Sequence, residues 1–243
     1  MNIIKLDAIG STNDYLKEIY TKRNLEDYTV VSALEQIKGR GQIGTSWASE
    51  KGKNLTISVL KKIVCLDHSE QFSISMGVSL AIVKALNYFA VPQLKIKWPN
   101  DILSANKKIC GILIENIIKN GQMNAAVIGI GLNVNQTYFD HLQSASSLKL
   151  INGITYSLDE VLHQVMKQLK EYAPLIEDRA FDQLKKEYEE NLFRKDKPST
   201  FKNLDGELFM GFIQGVTDTG KLLVKLEDNR IEEFDLKQIK LLY

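Results

Sequence analysis

The chain has 243 residues, 44% hydrophobic and 25% charged, enough to bury one large core or two unequal ones. Its 31 Lys and Arg against 30 Asp and Glu leave a net charge of +1, which excludes bulk electrostatic affinity for nucleic acid or membrane. The opening residues lack the apolar core of a secretory signal, and no run approaches the ~20 apolar residues of a membrane-spanning helix, so a cytoplasmic location is expected. Cys65 and Cys110 read as buried, reduced thiols, and His68, His141 and His163 stand at spacings that suit no metal.

In chain order, Ile3 to Gly10 reads as a short strand, after which Ser11 or Thr12 caps a helix with Asp14 in its first turn. A strand from about Tyr28 to Ala33 leads into a loop holding Gly39, Arg40, Gly41, Gly44 and Trp47, and Leu55 to Leu60 alternates as a returning strand. Glycine amides approach an anion closely and the arginine adds charge, so this reads as a phosphate-handling loop. The spacing G-x-G-x-x-G also fits a dinucleotide fingerprint, but that motif needs a helix after the loop. Here Gly52 and Asn54 break any helix and a strand follows. A glycine hairpin loop with no ligand is the plain alternative.

A long helix is predicted from His68 or Ser69 through Ala90, with Phe72, Met76, Leu80, Val83, Ala85 and Leu86 at helical spacing and Pro92 as its stop. L-K-I-K-W-P-N-D-I-L reads as a strand ending on a Pro-Asn-Asp turn. K-I-C-G-I-L-I-E-N-I-I follows a turn at Ser104 to Lys107, and A-A-V-I-G-I-G-L-N-V-N follows Gly121. Connections this short cannot join parallel strands, so the predicted class is α+β, with a mixed, largely antiparallel sheet flanked by helices.

Ser157 and Glu160 form a predicted capping box opening a helix from Leu158 to Tyr172, and a second helix spans Glu177 to Phe193; both read as scaffold. After a polar linker with Pro198, turn signals at Asp205-Gly206, Thr219-Gly220 and Asp228-Asn229 divide the remainder into short strands, most economically closed as a small barrel. Residues 196–243 carry seven Lys and Arg against nine Asp and Glu, which argues against nucleic-acid binding there.

Polar residues interrupt strands at three further places. Lys97, Asn100 and Asp101 sit where a strand meets the Pro turn; a well-capped turn explains them equally. Lys107 and Lys108 precede a strand containing Gly111, and Gly129, Gly131 and Asn133 lie in the next. A strand glycine marks close approach by a ligand or backbone, or a bulge.

These motifs, in order, carry a resemblance. S-T-N at Ser11–Asn13, Q-x-x-G-R-G-x-x-G-x-x-W from Gln36 to Trp47, K-W-P-N-D at Lys97–Asp101, K-x-x-G-I-L from Lys108 to Leu113 and G-x-G-x-N at Gly129–Asn133 resemble those of biotin protein ligases along the length of the chain. The resemblance implies a catalytic domain over residues 1–194, like those of class II aminoacyl-tRNA synthetases, and a small SH3-like β-barrel over residues 195–243. It implies a two-step reaction in which biotin and ATP with Mg2+ give biotinyl-adenylate, which then acylates one lysine of a biotin carboxyl carrier protein domain. A homodimer is allowed. A lipoate-type ligase of the same adenylating superfamily is the alternative, disfavoured because K-W-P-N-D with the Gly-Arg-Gly loop belongs to the biotin branch. A non-catalytic relative would be expected to lack Lys108 or Arg40.

By motif position, Lys108, Arg40, Asp101 and Lys97 form the implied catalytic set, with Asp101 activating or positioning the acceptor amine. Biotin is assigned to Ser11, Thr12, Asn13, Gln36, Gly39, Arg40, Gly41, Lys108, Gly111 and Ile112. The adenylate is assigned to Arg40, Gly41, Gln42, Gly44, Trp47, Asn100, Lys108 and Asn133, with Trp47 stacking near adenine or serving as core; Mg2+ is carried by the ATP phosphates. The chain departs from the commonest loop, G-R-G-R-x-G-R-x-W, by carrying Gln42 and Thr45 at its second and third arginines. Fewer cations imply a looser hold on the adenylate unless Lys38, Lys51 or Lys53 compensates. Some members carry an N-terminal DNA-binding domain; here the catalytic strand begins at about Asn2, so no direct DNA binding is expected. The three glycines predict a loop that orders over its ligand.

Overall fold

The computed structural model describes residues 2–63, 66–140 and 144–243, so Cys65 and His141 lie outside the described residues. Its first part is a seven-stranded sheet: β1 (Ile3–Ile9), β2 (Val30–Gln36), β3 (Leu55–Lys62), β4 (Leu94–Lys97), β5 (Asp101–Ser104), β6 (Lys107–Lys119) and β7 (Gln122–Leu132), in the order β1-β2-β3-β7-β6-β5-β4. Only β1 and β2 run parallel; every other neighbouring pair is antiparallel, the mixed sheet that the short connections require. Two-residue loops with positive φ at both positions, Ala105-Asn106 and Asn120-Gly121, make its tight hairpins.

Alternation along the strands divides the sheet's faces. Val30, Val59 and Ile128 face a core with α2 (Phe72–Tyr88), α4 (Leu158–Glu177) and α5 (Phe181–Glu190). Their neighbours Val31, Leu60 and Val127 face the other way, against Leu16 and Ile19 of α1 (Thr12–Lys22). Helix α2 is buried on nearly all sides because it lies between sheet and helices. No helix among the described residues is long and apolar enough to cross a membrane.

Several boundaries differ from the sequence reading. The helix expected to start at His68 or Ser69 and run through Ala90 begins at Phe72, because residues His68–Glu70 form a separate 3-10 turn closed by capping-box bonds between Asp67 and Glu70. Ala90, at φ +51°, has already left it. The capping box expected at Ser157 forms only its Ser157 half, Oγ accepting the Glu160 amide at 3.4 Å. Helix α4 continues to Glu177 through Pro174, whose missing N–H falls in the last turn, and Arg179 at φ +55° separates it from α5. A five-residue helix, α3 (Leu148–Asn152), capped by Ser147, is too short to show a helical period in the sequence.

The stretch expected as one strand with a terminal turn is a hairpin: β4 and β5 pair antiparallel, with Lys97 opposite Asp101 and a cis peptide at Trp98-Pro99 between them. The outer edge of β4 is taken by residues 191–193, the Ile96 amide donating to the Asn191 carbonyl and Phe193 donating back to Ile96, both at 2.8 Å. From there the chain enters a second sheet, β8 (Pro198–Asn203), β9 (Leu208–Val216), β10 (Leu222–Leu226), β11 (Ile231–Phe234) and β12 (Ile239–Leu242). It is antiparallel, in the order β11-β10-β9-β8-β12. The Trp98 indole N–H donates to the Gly220 carbonyl at 2.9 Å, so the turn of the β4–β5 hairpin is tied to this second sheet.

Candidate active site

Register explains why distant motifs meet. Thr56 of β3 pairs with Gly131 of β7, Gly131 with Gly111 of β6, Gly111 with Asp101 of β5, and Asp101 with Lys97 of β4. Paired residues share a face, so five strands present one row: a hydroxyl, two bare backbones, a carboxylate and an ammonium. The row lies on the α1 face, beyond the N-terminal end of the helix, and floors a cavity of about 620 Å3 roofed partly by the glycine loop and partly by the second sheet.

The strand glycines mark close approach, by side chains. The Trp47 indole lies on the row: a Cβ at Gly131 would sit 2.4 Å from its Cε2, and one at Gly111 2.8 Å from its Cζ3. Asn13 occupies the same place over Gly129, 2.5 Å from where a Cβ would be. Trp47 Nε1 is buried with no hydrogen-bond partner among the described residues, an unused donor on the floor. Lys108 Nζ stands 5.4 Å from the Trp47 ring centroid. It also lies 2.7 Å from Asp101 Oδ1, an ion pair by charge and distance whose angle falls outside hydrogen-bond geometry.

At the start of α1, Thr12 donates both its amide and its hydroxyl to Gln36 Oε1, at 2.8 and 2.9 Å. The hydroxyl of Ser58 on β3 lies 2.8 Å from Thr12 Oγ1 and 2.5 Å from Asn13 Oδ1. Ser11 caps the helix, accepting the Asp14 amide at 3.4 Å. The loop then closes on itself: Trp47 N–H donates to Gly39 O and Gly41 N–H to Thr45 O. Gly39 must be glycine, since its Cβ would meet the Trp47 carbonyl oxygen at 2.2 Å, and a Cβ at Gly41 would displace the Thr45 hydroxyl, 2.4 Å away. Arg40 reaches back to the helix and β6, its Nη2 2.6 Å from Asp14 and 3.0 Å from Glu115.

Of the residues singled out from sequence, Ser11, Thr12, Asn13, Gln36, Arg40, Gly41, Gln42, Trp47, Lys97, Asn100, Asp101, Lys108, Gly111 and Ile112 all line the cavity. Gly39, Gly44 and Asn133 do not. Asn133 is buried, its Nδ2 donating to Ser146 O at 3.0 Å, so it fastens the segment that follows β7. Asn100 clasps the turn to β6, Nδ2 donating to Ile112 O at 2.6 Å. Neither Lys38, Lys51 nor Lys53 lines the cavity; the lysines that do are Lys97 and Lys108 from the floor, Lys240 from β12 and Lys237 from the turn before it. Burial, opposed by Asp101 and helped by Lys108 and Lys240, holds Lys97 below the usual lysine value.

Two polar residues that join these groups, Ser58 and Glu115, escaped the sequence reading. Each sits in a strand, where a polar residue is ordinarily solvent-facing; their face is instead covered by the start of α1. Burial pushes the Glu115 carboxyl up, but bonds from Lys17 and Asn13 and the charges of Lys17 and Arg40 outweigh it and hold the group below the usual value. Cys110, buried behind the floor, is pushed up by burial and stays a thiol.

The model of the Biotin/lipoate A/B protein ligase family matches residues 6–133, the segment that supplies nearly all of this floor. The chain belongs to that family. It is 29% identical over 236 residues to a bifunctional ligase/repressor BirA of Bacillus spizizenii, covering 93% of this chain and 70% of that protein. It is 27% identical over 226 residues to a biotin--[acetyl-CoA-carboxylase] ligase of Mycobacterium tuberculosis, covering 90% and 82% of the two. A solved biotin protein ligase from Aquifex aeolicus, in complex with biotin and ATP, superposes with a TM-score of 0.81 at 27% identity, covering 99% of this chain and 98% of that one.

Proposed function

We propose that this family member is an ATP-dependent biotin protein ligase, forming biotinyl-5′-AMP and transferring biotin to one lysine of a biotin carboxyl carrier protein domain. The observation that carries this reading is the single row Thr56–Gly131–Gly111–Asp101–Lys97, with Lys108 and Arg40 beside it. In the first step a biotin carboxylate oxygen attacks the α-phosphorus of ATP and pyrophosphate leaves. In the second the carrier amine attacks the acyl carbon, AMP leaves and the amine proton goes to a base.

The first step brings two anions together and the second develops negative charge on the acyl oxygen and the departing AMP, and cations placed beforehand lower both barriers. Lys108 stands where carboxylate and α-phosphate would meet, and Arg40 holds the phosphate from the loop. Ser11, Thr12 and Gln36 offer polar atoms to a ureido ring, and Gly111 and Ile112 line its tail. Trp47 offers its ring to adenine and its unused N–H to an acceptor, relieving a buried donor whose isolation costs about 1–3 kcal/mol. Asp101, paired with Lys108, activates or positions the acceptor amine. Magnesium arrives with ATP as substrate; among the described residues no group of three His, Cys, Asp or Glu is placed to hold a resident ion. Residues 1–194 act as the catalytic domain in the cytoplasm, and residues 195–243 as a small SH3-like β-barrel, a reading supported by the stacked rings of Phe201, Phe209 and Phe234.

The test is transfer to a carrier domain with biotin, ATP and Mg2+, read by streptavidin, with a carrier whose acceptor lysine is arginine as control. Biotin on the lysine carrier alone supports the reading. Absence of transfer, or equal transfer of lipoate, overturns it.

A further inference from the structure

Arg40 is a loop residue with 42% of its side chain exposed, yet its position is tightly defined. Only Nη2 is engaged: Asp14 Oδ1 lies 2.6 Å away and the two Glu115 oxygens 3.0 and 3.2 Å. Among the described residues Nη1 and Nε have no partner, and the residue borders the cavity. The guanidinium is therefore held at one end with its remaining donors unspent. Glu115 is itself fixed from below, receiving Asn13 Nδ2 at 2.7 Å and Lys17 Nζ at 2.8 Å. Asn13 continues to Ser58, Ser58 to Thr12, and Thr12 to Gln36, all by contacts of 2.5 to 2.9 Å. One chain of polar contacts thus runs from the floor beside α1, through the Glu115 carboxylate, to the only cation the loop places at the cavity.

We propose that Glu115, assisted by Asp14, is the positioning residue for Arg40, orienting the guanidinium so that Nη1 and Nε meet the phosphate of the adenylate. This rests on the ligase reading above. The opposite sign is conceivable on charge alone, since two carboxylates could compete with a phosphate for the arginine. Two observations decide against it. The Glu115 charge is already shared with Lys17 and Asn13, and the pair occupies only one nitrogen of the guanidinium. A fixed fork loses less side-chain freedom on binding than a free one, and with Gln42 and Thr45 in the loop no neighbouring arginine shares the task.

The experiment is a double-mutant cycle on biotin-dependent exchange of pyrophosphate into ATP, using Glu115→Gln, Arg40→Ala and the pair. Glutamine keeps an acceptor for Asn13 while removing the charge that holds Arg40. The expected result is a fall in kcat of about tenfold with the KM for biotin within about twofold, and no further fall when Glu115→Gln is added to Arg40→Ala. Equal losses in both backgrounds, an unchanged kcat or a faster Glu115→Gln enzyme each overturn the proposal. Should Glu115→Gln fail to fold, Asp14→Asn, at an exposed position, runs the same cycle with an expected loss of about threefold that vanishes in Arg40→Ala. If the parent protein shows no biotin-dependent exchange, the ligase reading fails and the inference falls with it. If the parent exchanges and the cycle is additive, only the inference fails.

Discussion

The floor of the cavity and the loop above it bring comparable groups to the same space by opposite means. On the floor, Asp101 is held by ladders on both sides, Lys97 pairs with it from β4, and Lys108 is held by β5 on one side and by residues 144–146 on the other. In the loop, Arg40 and Trp47 hang on a few backbone bonds across residues 39–47, on two ion pairs, and on the seat over Gly111 and Gly131. Loop contacts can be exchanged for ligand contacts one at a time; floor contacts cannot be exchanged without opening the sheet. Substitutions on the floor are therefore expected to remove function or fold outright, and substitutions in the loop to tune it.

The largest expected effect is at Lys108. Lys108→Ala should lower biotin-dependent pyrophosphate exchange by roughly 10²–10³-fold with little change in thermal unfolding, since the side chain supports no core; full activity would remove it from the chemistry. Next is a paired glycine test. Gly131→Val forces a side chain to within 2.4 Å of the Trp47 ring, and a loss of about 1–3 kcal/mol in denaturant unfolding is expected with a matching loss of exchange. Gly44→Ala, with no neighbour within 4 Å and strained only by φ +77°, should cost about 1–2 kcal/mol and spare exchange. An equal loss of exchange at the two sites would break the distinction between floor and loop.

A smaller effect is expected within the loop itself. Gln42→Arg adds a cation beside Arg40 and should slow adenylate release and reduce stray biotinylation of bystander lysines by severalfold. An unchanged off-rate would show that the two absent arginines do not matter here.

The smallest is a pH effect at Lys97. Its folded-state value lies below the ordinary 10.5, so the unfolded chain binds this proton more readily, and the group's penalty fades as pH rises through the folded value towards 10.5. Lys97→Met should unfold at a slightly higher temperature than the parent at neutral pH, with the difference shrinking at alkaline pH. A pH-independent difference would deny that desolvation of this ammonium is the cause.

Much of this was readable from residue order. Strand β3 announces itself by alternation, and β6 and β7 by apolar runs bounded by turn residues, while antiparallel register brings the strand motifs to one cavity. What escaped notice did so for physical reasons. The β4–β5 hairpin has four-residue arms around Trp98-Pro99, too short for alternation to show where one strand ends and the next begins. Ser58 and Glu115 have the polarity of a solvated strand face, and only the position of α1 shows that they are covered. Asn133, placed by motif with the adenylate, spends its side chain on Ser146, a contact across thirteen residues that no local pattern encodes.

The most direct test is exchange of labelled pyrophosphate into ATP by the purified protein, with biotin, with lipoate and with neither. Exchange that requires biotin and is abolished by Lys108→Ala is the predicted result, since it needs the whole floor and no carrier. Exchange independent of biotin, or supported equally by lipoate, would contradict the account.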